Sequence, residues 1–346
     1  MTGRAAAIQG GLAAVGLLAA SLTWQREPEH APGAAAVIEA SKADVTQVHY
    51  SDDNTTVDFT RGRGDKDPPV WIHLVSSEKP PMKAPGQKDA KPPAPPPPPR
   101  DLLGSEQASK VLDQFAPLVS PRAFGVLDAA KMKELGLAAP TRKLDVTVKG
   151  DVRHYEIGQP DKAPGGESFL RDTRDSRVYL MPRGMLSDLQ NPNHLVDRRL
   201  HAFEQGDFDR MVLSAGGKQK DYVQTDRELR AKAAFAPAKT PDKHDQMAKN
   251  WHDAVWRAFP ADILGRGEDP TGGKPTVALR VDYYDGKNAV GYMELARPDA
   301  AGGVSEEPEP ASGSDIYART EHTAGWMKLH NGAQLLADAQ KLLAAP

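Results

Sequence analysis

Residues 44–51, DVTQVHYS, align without a gap with residues 207–214, DFDRMVLS. Turn-forming residues follow in both copies, and a second short match then pairs residues 57–59 with residues 220–222. Two short runs of this kind, separated by turn formers, are typical of β-hairpins. Each copy is therefore predicted to begin with a strand, a tight turn and a second strand.

The same correspondence continues towards the C-terminus of each copy. In each copy, a stripe of apolar residues at helical spacing follows and predicts a helix. Ser105 is the predicted N-cap of the first helix, which ends near Pro117, and the second helix ends near Pro260. A strand pair comes next, then a match between residues 169–171 and 317–319, and then a short apolar helix. The sequence predicts an α+β fold with two duplicated modules, each an antiparallel sheet with helices on one face, after an N-terminal transmembrane helix. Chance similarity between two hairpins is the alternative.

The internal match also sets the expected domain boundaries. The first module is expected over residues 37–192 and the second over residues 207–346, joined by a connector at residues 193–206. Two segments have no counterpart in the other copy, namely a proline-rich insertion at residues 79–100 and an acidic loop at residues 299–315. The proline-rich insertion is expected to form extended polyproline II, as a spacer or as a docking segment.

The N-terminal segment has the composition of a membrane span. Residues 5–24 contain no charged residue, and at about 1.5 Å of rise per residue such a helix crosses a hydrocarbon layer of about 30 Å. Arg4 precedes the segment, whereas Arg26 is followed at once by Glu27, which favours an N-terminus inside the cell. We therefore expect a single-pass protein of the inner (cytoplasmic) membrane, with the C-terminal modules in the periplasm or otherwise outside the cytoplasm. A cleaved signal peptide with residues 19–21 at its cleavage site is the alternative, and it too exports the modules.

The composition excludes several classes of function. The 44 basic and 47 acidic residues leave a net charge of −3, which creates no field that attracts nucleic acid. The chain has no cysteine, so disulfides, thiolate zinc sites, iron–sulfur clusters and cysteine nucleophiles are excluded. With 39% hydrophobic and 26% charged residues, the chain is composed like a globular protein.

Motifs for catalysis or cofactor binding are incomplete. Residues 272–275, GGKP, lack the first glycine and the Ser or Thr of a phosphate-binding loop, and the chain has no GxSxG elbow and no HExxH helix. In the connector, residues 194–203 have helical spacing and place Asp197 and His201 on one face. Two ligands are weak evidence for a metal, so a salt-bridged helix is favoured. We therefore predict no enzyme activity, no cofactor and no metal site.

Four residues are candidates for an interaction site: Arg171, Arg319, Glu321 and His322. The two arginines recur at matching positions of the repeat, and a guanidinium can orient an acidic partner through its planar set of donors. The alternative is an ion pair that braces each strand to its turn. Glu321 and His322 are the first choice for an acid/base pair, but no nucleophile or metal cluster accompanies them.

Several motifs together resemble a known family. They are the strand pattern of residues 44–50, the sequence LGLAAP at residues 135–140, VYL at residues 178–180 and the DRR sequence within residues 195–203. The chain resembles the bacterial domain of unknown function 4340 over most of residues 40–343, outside the two insertions. The resemblance implies a membrane-anchored, exported protein of a kind often encoded beside an ABC-type transporter and a gliding-motility component. No catalytic residue is established for the family, so none is carried over.

Three functions are compatible with these observations. The first is a non-enzymatic, membrane-anchored envelope protein, an accessory or scaffolding component of an ABC-type transport or gliding-motility-type complex, which is then its partner. The alternative is a periplasmic ligand-binding module that recognises an envelope solute or polymer between its two modules, with Trp251, Trp256 or Tyr283 lining the pocket. The third is a hydrolase that uses Glu321 and His322.

Overall fold

The computed structural model describes residues 34–64, 68–76, 98–160, 166–227, 233–270, 273–298 and 315–345. The expected membrane helix at residues 5–24 lies outside these ranges, as do most of the proline-rich insertion and nearly all of the acidic loop. Within the ranges, no helix is both long and apolar enough to cross a membrane. We correct the predicted single-pass inner-membrane localisation on this finding.

Antiparallel strands are the main regular structure of the fold, since 43% of the residues are in strands and 20% in helices. The prediction of an α+β fold with helices on one face of each sheet is therefore wrong. The internal match found only strands that are similar in sequence, and it missed strands such as Val70–Ser76 and Ala234–Pro237. In the first of these, Val70 and Ile72 are buried on one face, as the period-two alternation of a strand requires.

The larger sheet of the first module has nine strands. They are β2 (Val45–Ser51), β3 (Thr55–Arg61), β4 (Val70–Ser76), β5 (Arg100–Leu103), β7 (Ala123–Val126), β8 (Arg142–Val148), β9 (Asp151–Gly158), β10 (Phe169–Asp172) and β11 (Arg177–Leu180). Their order across the sheet is β5-β4-β3-β2-β8-β9-β10-β11-β7, with antiparallel neighbours. A separate two-stranded sheet pairs β1 (Ala35–Ile38) with β6 (Leu118–Ser120).

The sheet of the second module has eight strands. They are β12 (Arg210–Ala215), β13 (Lys218–Thr225), β14 (Ala234–Pro237), β15 (Pro260–Ile263), β16 (Pro275–Asp285), β17 (Asn288–Pro298), β18 (Tyr317–Thr320) and β19 (Met327–Leu329). Their order is β14-β13-β12-β16-β17-β18-β19-β15. Apart from β5, this is the order of the first sheet strand for strand, so the two hairpins that opened the internal match occupy equivalent places.

The helices are short and lie between the strands in sequence. They are α1 (Glu106–Asp113), α2 (Ala129–Glu134), α3 (Met185–Gln190), α4 (Gln246–Trp256) and α5 (Gly332–Ala344), with 3-10 helices at Lys42–Asp44 and Pro192–Leu195. The predicted N-cap of α1 is confirmed, because the Ser105 hydroxyl accepts a hydrogen bond from the Gln107 amide at 3.3 Å. The helix predicted over residues 194–203 is wrong, since the helical conformation ends at Leu195.

Each module has a core of its own. Tyr50 and Phe59 are fully buried in the first core, and Leu336 is fully buried in the second. In the second core, the Trp251 indole of α4 donates a hydrogen bond to the Leu335 carbonyl of α5 at 2.8 Å. The two helices are therefore joined by a buried polar contact as well as by apolar packing.

Leu336→Ala is expected to lower the free energy of unfolding by about 2–5 kcal/mol, because it opens a cavity in a filled core. The measurement is urea denaturation followed by circular dichroism. Val277→Ala is the control, since Val277 is 43% exposed and its truncation is expected to change stability by less than about 0.5 kcal/mol. Equal losses in the two variants would contradict the assignment of Leu336 to the core.

Candidate functional site

An ion-pair cluster holds the two modules together, and we call it the module junction. Arg100, at the start of edge strand β5, donates to Asp262 at 2.9 Å, to the Ile263 carbonyl at 3.2 Å and to Glu268 at 3.2 Å. Burial works against the charge of Arg100, but the hydrogen bonds and charges of Asp262 and Glu268 outweigh it and raise the Arg100 pKa. The Arg100 guanidinium of the first module thus binds two carboxylates and one backbone carbonyl of the second module.

Backbone and ring contacts extend the module junction. The Arg266 guanidinium lies over the Trp71 ring, 3.4 Å from its centroid. The backbone amide of Arg266 donates to the Asp101 carbonyl of β5 at 2.9 Å. At Gly265, an added Cβ would lie 2.9 Å from the Asp101 nitrogen, so only a glycine permits this close approach. The two sheets therefore meet edge to edge.

The connector is bound to the second module through a buried carboxylate. Asp197 accepts hydrogen bonds from the Arg199 guanidinium at 2.7 Å and from the Arg199 amide at 2.9 Å, and its Oδ2 lies 3.0 Å from His322 Nε2. Burial disfavours the charged form, but the hydrogen bonds from His322 and Arg199 outweigh it and hold the Asp197 pKa well below its ordinary value. His322 follows strand β18, so this contact ties the connector to the turn after that strand.

A second carboxylate, on the turn after β18, also binds the connector. Glu321 lies 3.2 Å from His201 Nδ1 and accepts hydrogen bonds from the amides of Ala202 at 3.2 Å and Tyr292 at 3.1 Å. Burial would raise the Glu321 pKa, but His201 and the backbone amides outweigh it and lower it. At Gly291 an added Cβ would lie 2.6 Å from the Glu321 carboxyl carbon, so this glycine makes room for the carboxylate.

Aromatic rings enclose the connector histidine. The His201 ring stacks on Trp256 with 5.1 Å between centroids and an interplanar angle of 11°, and it also contacts Phe203 and Tyr283. Tyr283 is fully buried, and Trp251 is 3% exposed. The aromatic residues that we expected to line a pocket between the modules therefore belong to the core and aromatic cluster of the second module.

The two repeated arginines form equivalent cross-strand ion pairs. Arg171 of β10 pairs with Glu156 of β9, and Arg319 of β18 pairs with Glu294 of β17 at 2.7 Å. Arg319 also lies over the Trp326 ring, 4.6 Å from its centroid. The ion-pair interpretation of the arginines therefore fits the structure, with each pair bracing the adjacent strand rather than the turn. Partly exposed pairs of this kind contribute about 0–1 kcal/mol each.

The structure does not bring the four sequence-predicted residues into one site. Arg171 lies in the first module and Arg319 pairs with Glu294, while Glu321 and His322 bind different residues of the connector. The sequence pattern did not reveal His201 as the partner of Glu321, or Asp197 as the partner of His322, because it predicted a helix for the connector. Within the described ranges, no group of three His, Asp or Glu residues is placed to hold a metal ion.

A cleft of about 310 Å³, which we call the junction cleft, opens between the modules beside the Arg100–Asp262 pair. Its charged lining residues are Arg100, Arg198 and Asp262, and its polar residues include Asn193 and Thr55. Apolar side chains complete the walls, including Leu74, Leu102 and Ile263. The junction is therefore neither filled nor apolar.

Comparison with known proteins gives a family match over part of the chain. The model of the domain of unknown function (DUF4340) matches residues 107–254. This match begins in α1 and ends in α4, so it includes the connector and parts of both modules. It supports the family assignment over a shorter range than residues 40–343. No curated protein and no solved structure matches the chain.

Glu321→Gln is expected to flatten the acid side of the stability profile. Because the folded-state pKa of Glu321 is lowered, its charge stabilises the fold above its unfolded-state pKa of about 4.3, and this stabilisation is lost as the pH falls through that value towards the folded-state pKa. The wild type is therefore expected to lose more unfolding free energy than the variant between about pH 5 and pH 3.

Urea denaturation at a series of pH values measures this difference. Glu134→Gln is the matched control, since the Glu134 side chain is 65% exposed in a single i,i+3 ion pair, and its profile is expected to follow that of the wild type. An acid limb as steep in Glu321→Gln as in the wild type would contradict the role assigned to Glu321.

Proposed function

We propose that the chain is a non-enzymatic interaction protein, an accessory or scaffolding component of an ABC-type transport complex or a gliding-motility-type complex. The observation that carries the proposal is the module junction, where Arg100, Asp262 and Glu268 join two separate cores. Two modules in a fixed relation keep two surfaces at a constant separation, which is the property that a scaffold requires.

The use of the buried ionisable groups supports an interaction role over hydrolysis. A general acid or base must exchange a proton with the substrate, so its reactive atom has to be available. The Glu321 carboxylate instead faces His201 and two backbone amides, and His322 faces Asp197. These groups position the connector, and the arrangement gives no support to the third function, a hydrolase that uses Glu321 and His322.

The outer edge of the first sheet offers a surface for a protein partner. Strand β7 forms this edge, on the side away from β5. Strand β14, at the outer end of the second sheet, is covered instead, since Phe235 and Ala236 are fully buried and the Asp245 amide donates to the Phe235 carbonyl at 2.7 Å. Val126 of β7 is 69% exposed. Edge strands of this kind have unpaired backbone groups that can pair with an extended segment of a partner.

The class of partner comes from the family resemblance alone. Residues 107–254 match the family, and the resemblance implies genes beside an ABC-type transporter and a gliding-motility component. We therefore expect the partner to be a subunit of such a complex.

The test is cross-linking in the native host, followed by purification through a C-terminal tag and mass spectrometry. Transporter or gliding-type subunits are expected to be enriched over an untagged strain. Arg100→Ala, which removes the contacts to Asp262 and Glu268, is expected to reduce that recovery at least fivefold because the modules lose their fixed relation.

Arg63→Ala is the control for this experiment. Arg63 is exposed and lies outside the module junction, so its truncation is expected to leave the recovery unchanged. Limited proteolysis and circular dichroism establish that Arg100→Ala loosens the junction while both modules stay folded. Recovery of no such subunit, or equal recovery with a demonstrably loosened junction, would count against the scaffold.

The junction cleft favours a second candidate function, a module that binds a ligand between its two halves. A filled apolar junction would have ruled it out, and the cleft has polar walls instead. Ligand sites occur preferentially at such boundaries between structural units.

A further inference from the structure

The junction cleft is preformed, because contacts between its lining residues and contacts beside it fix both of its walls. Arg100 joins the walls through Asp262 and the Ile263 carbonyl, and Arg266 lies over Trp71 behind them. A ligand that enters a cleft already held open does not have to order the surrounding chain, which preserves affinity. The cleft is therefore able to bind a small molecule without closure of the modules.

One charged side chain of the cleft lining, Arg198, is not neutralised by an ion pair with a described residue. Arg100 and Asp262 neutralise each other at 2.9 Å. Arg198 lies over the Phe259 ring, 5.6 Å from its centroid, and no carboxylate of the described residues forms an ion pair with it. The neighbouring Arg199 is paired with Asp197. Arg198 thus lines the cleft with a guanidinium that has no ion-pair partner among the described residues, and the planar donors of such a group fit a carboxylate in two parallel hydrogen bonds.

The remaining lining complements a hydroxylated ring. The Asn193 amide and the Thr55 hydroxyl both donate and accept hydrogen bonds, as sugar hydroxyls require of their partners. Leu74 and Leu102 supply apolar surface for the face of a ring. A volume of about 310 Å³ lies at the lower end of the range for ligand pockets, so it suits a single ring.

We infer that the junction cleft binds a sugar acid, a small hydroxylated ring with one carboxylate that pairs with Arg198. This inference rests on the second proposed function, the ligand-binding module. Such a group can be a free monomer or the end residue of an acidic polysaccharide, and the chemistry at Arg198 is the same for both.

Isothermal titration calorimetry of the purified chain tests the inference, with D-galacturonate as the probe, D-galactose as its neutral counterpart and an oligogalacturonate as the polymer. Galacturonate is expected to bind at least tenfold more tightly than galactose. Arg198→Gln, which removes the charge from an exposed side chain, is expected to weaken galacturonate binding at least tenfold, or about 1.4 kcal/mol. Arg63→Gln is the matched control and is expected to bind like the wild type.

The outcomes separate this inference from the proposed functions. Equal binding of galactose and galacturonate, unaffected by Arg198→Gln, would overturn the acidic class while leaving a ligand-binding module. Binding of none of the three probes would overturn the inference and remove the support for the ligand-binding module, whereas the scaffold is decided by the cross-linking experiment alone. Tighter binding of the oligogalacturonate than of the monomer, with both lost in Arg198→Gln, would support the inference and identify the polymer as the source. An unchanged urea midpoint for Arg198→Gln shows that the loss does not come from unfolding.

Discussion

A single partly buried cation is the central contact between the two modules. The Arg100 guanidinium lies between two carboxylates and a backbone carbonyl of the second module, and separating the modules would remove this cation from all three. The Asp262 and Glu268 carboxylates would then keep the hydrogen bonds from the Ile263 and Gly265 amides but lose their positive partner. Losing one partner of such a cluster costs more than the cluster contributes in net stability, because the remaining charge stays partly desolvated. The width of the junction cleft and the spacing of the outer sheet edges both follow from this arrangement.

The connector adds a second, independent constraint. Asp197 and His201 bind His322 and Glu321 respectively, so the connector and the turn after β18 each supply one carboxylate and one histidine. A polar network in which each carboxylate has several partners fixes one geometry, since any shift leaves a buried group unsatisfied. Apolar packing around His201 alone would allow the connector to slide, whereas these directional contacts define its register.

Local patterns predicted the parts of the fold that depend on neighbouring residues. The hairpins at residues 44–59 and 207–222 and the Ser105 cap were visible because turn formers and caps act within a few residues. The strands β4, β5, β7, β14 and β15 were missed because the comparison of the two copies weighted only similar segments. The connector was predicted to be helical from its apolar spacing, but its backbone is engaged by distant groups, such as the Thr320 hydroxyl, which donates to the Leu200 carbonyl. The site was less predictable than the fold, since Arg100 and Asp262 are 162 residues apart and no local pattern links them.

The difference between the two sheets explains why the most distinctive chemistry lies at their boundary. The two sheets share the same strand order, except that the first sheet has an additional edge strand, β5. This added strand carries Arg100, which binds Asp262 of β15, and Asp101, whose carbonyl accepts from the Arg266 amide in the segment after β15. A module without β5 would lack the edge that forms the junction and one wall of the cleft.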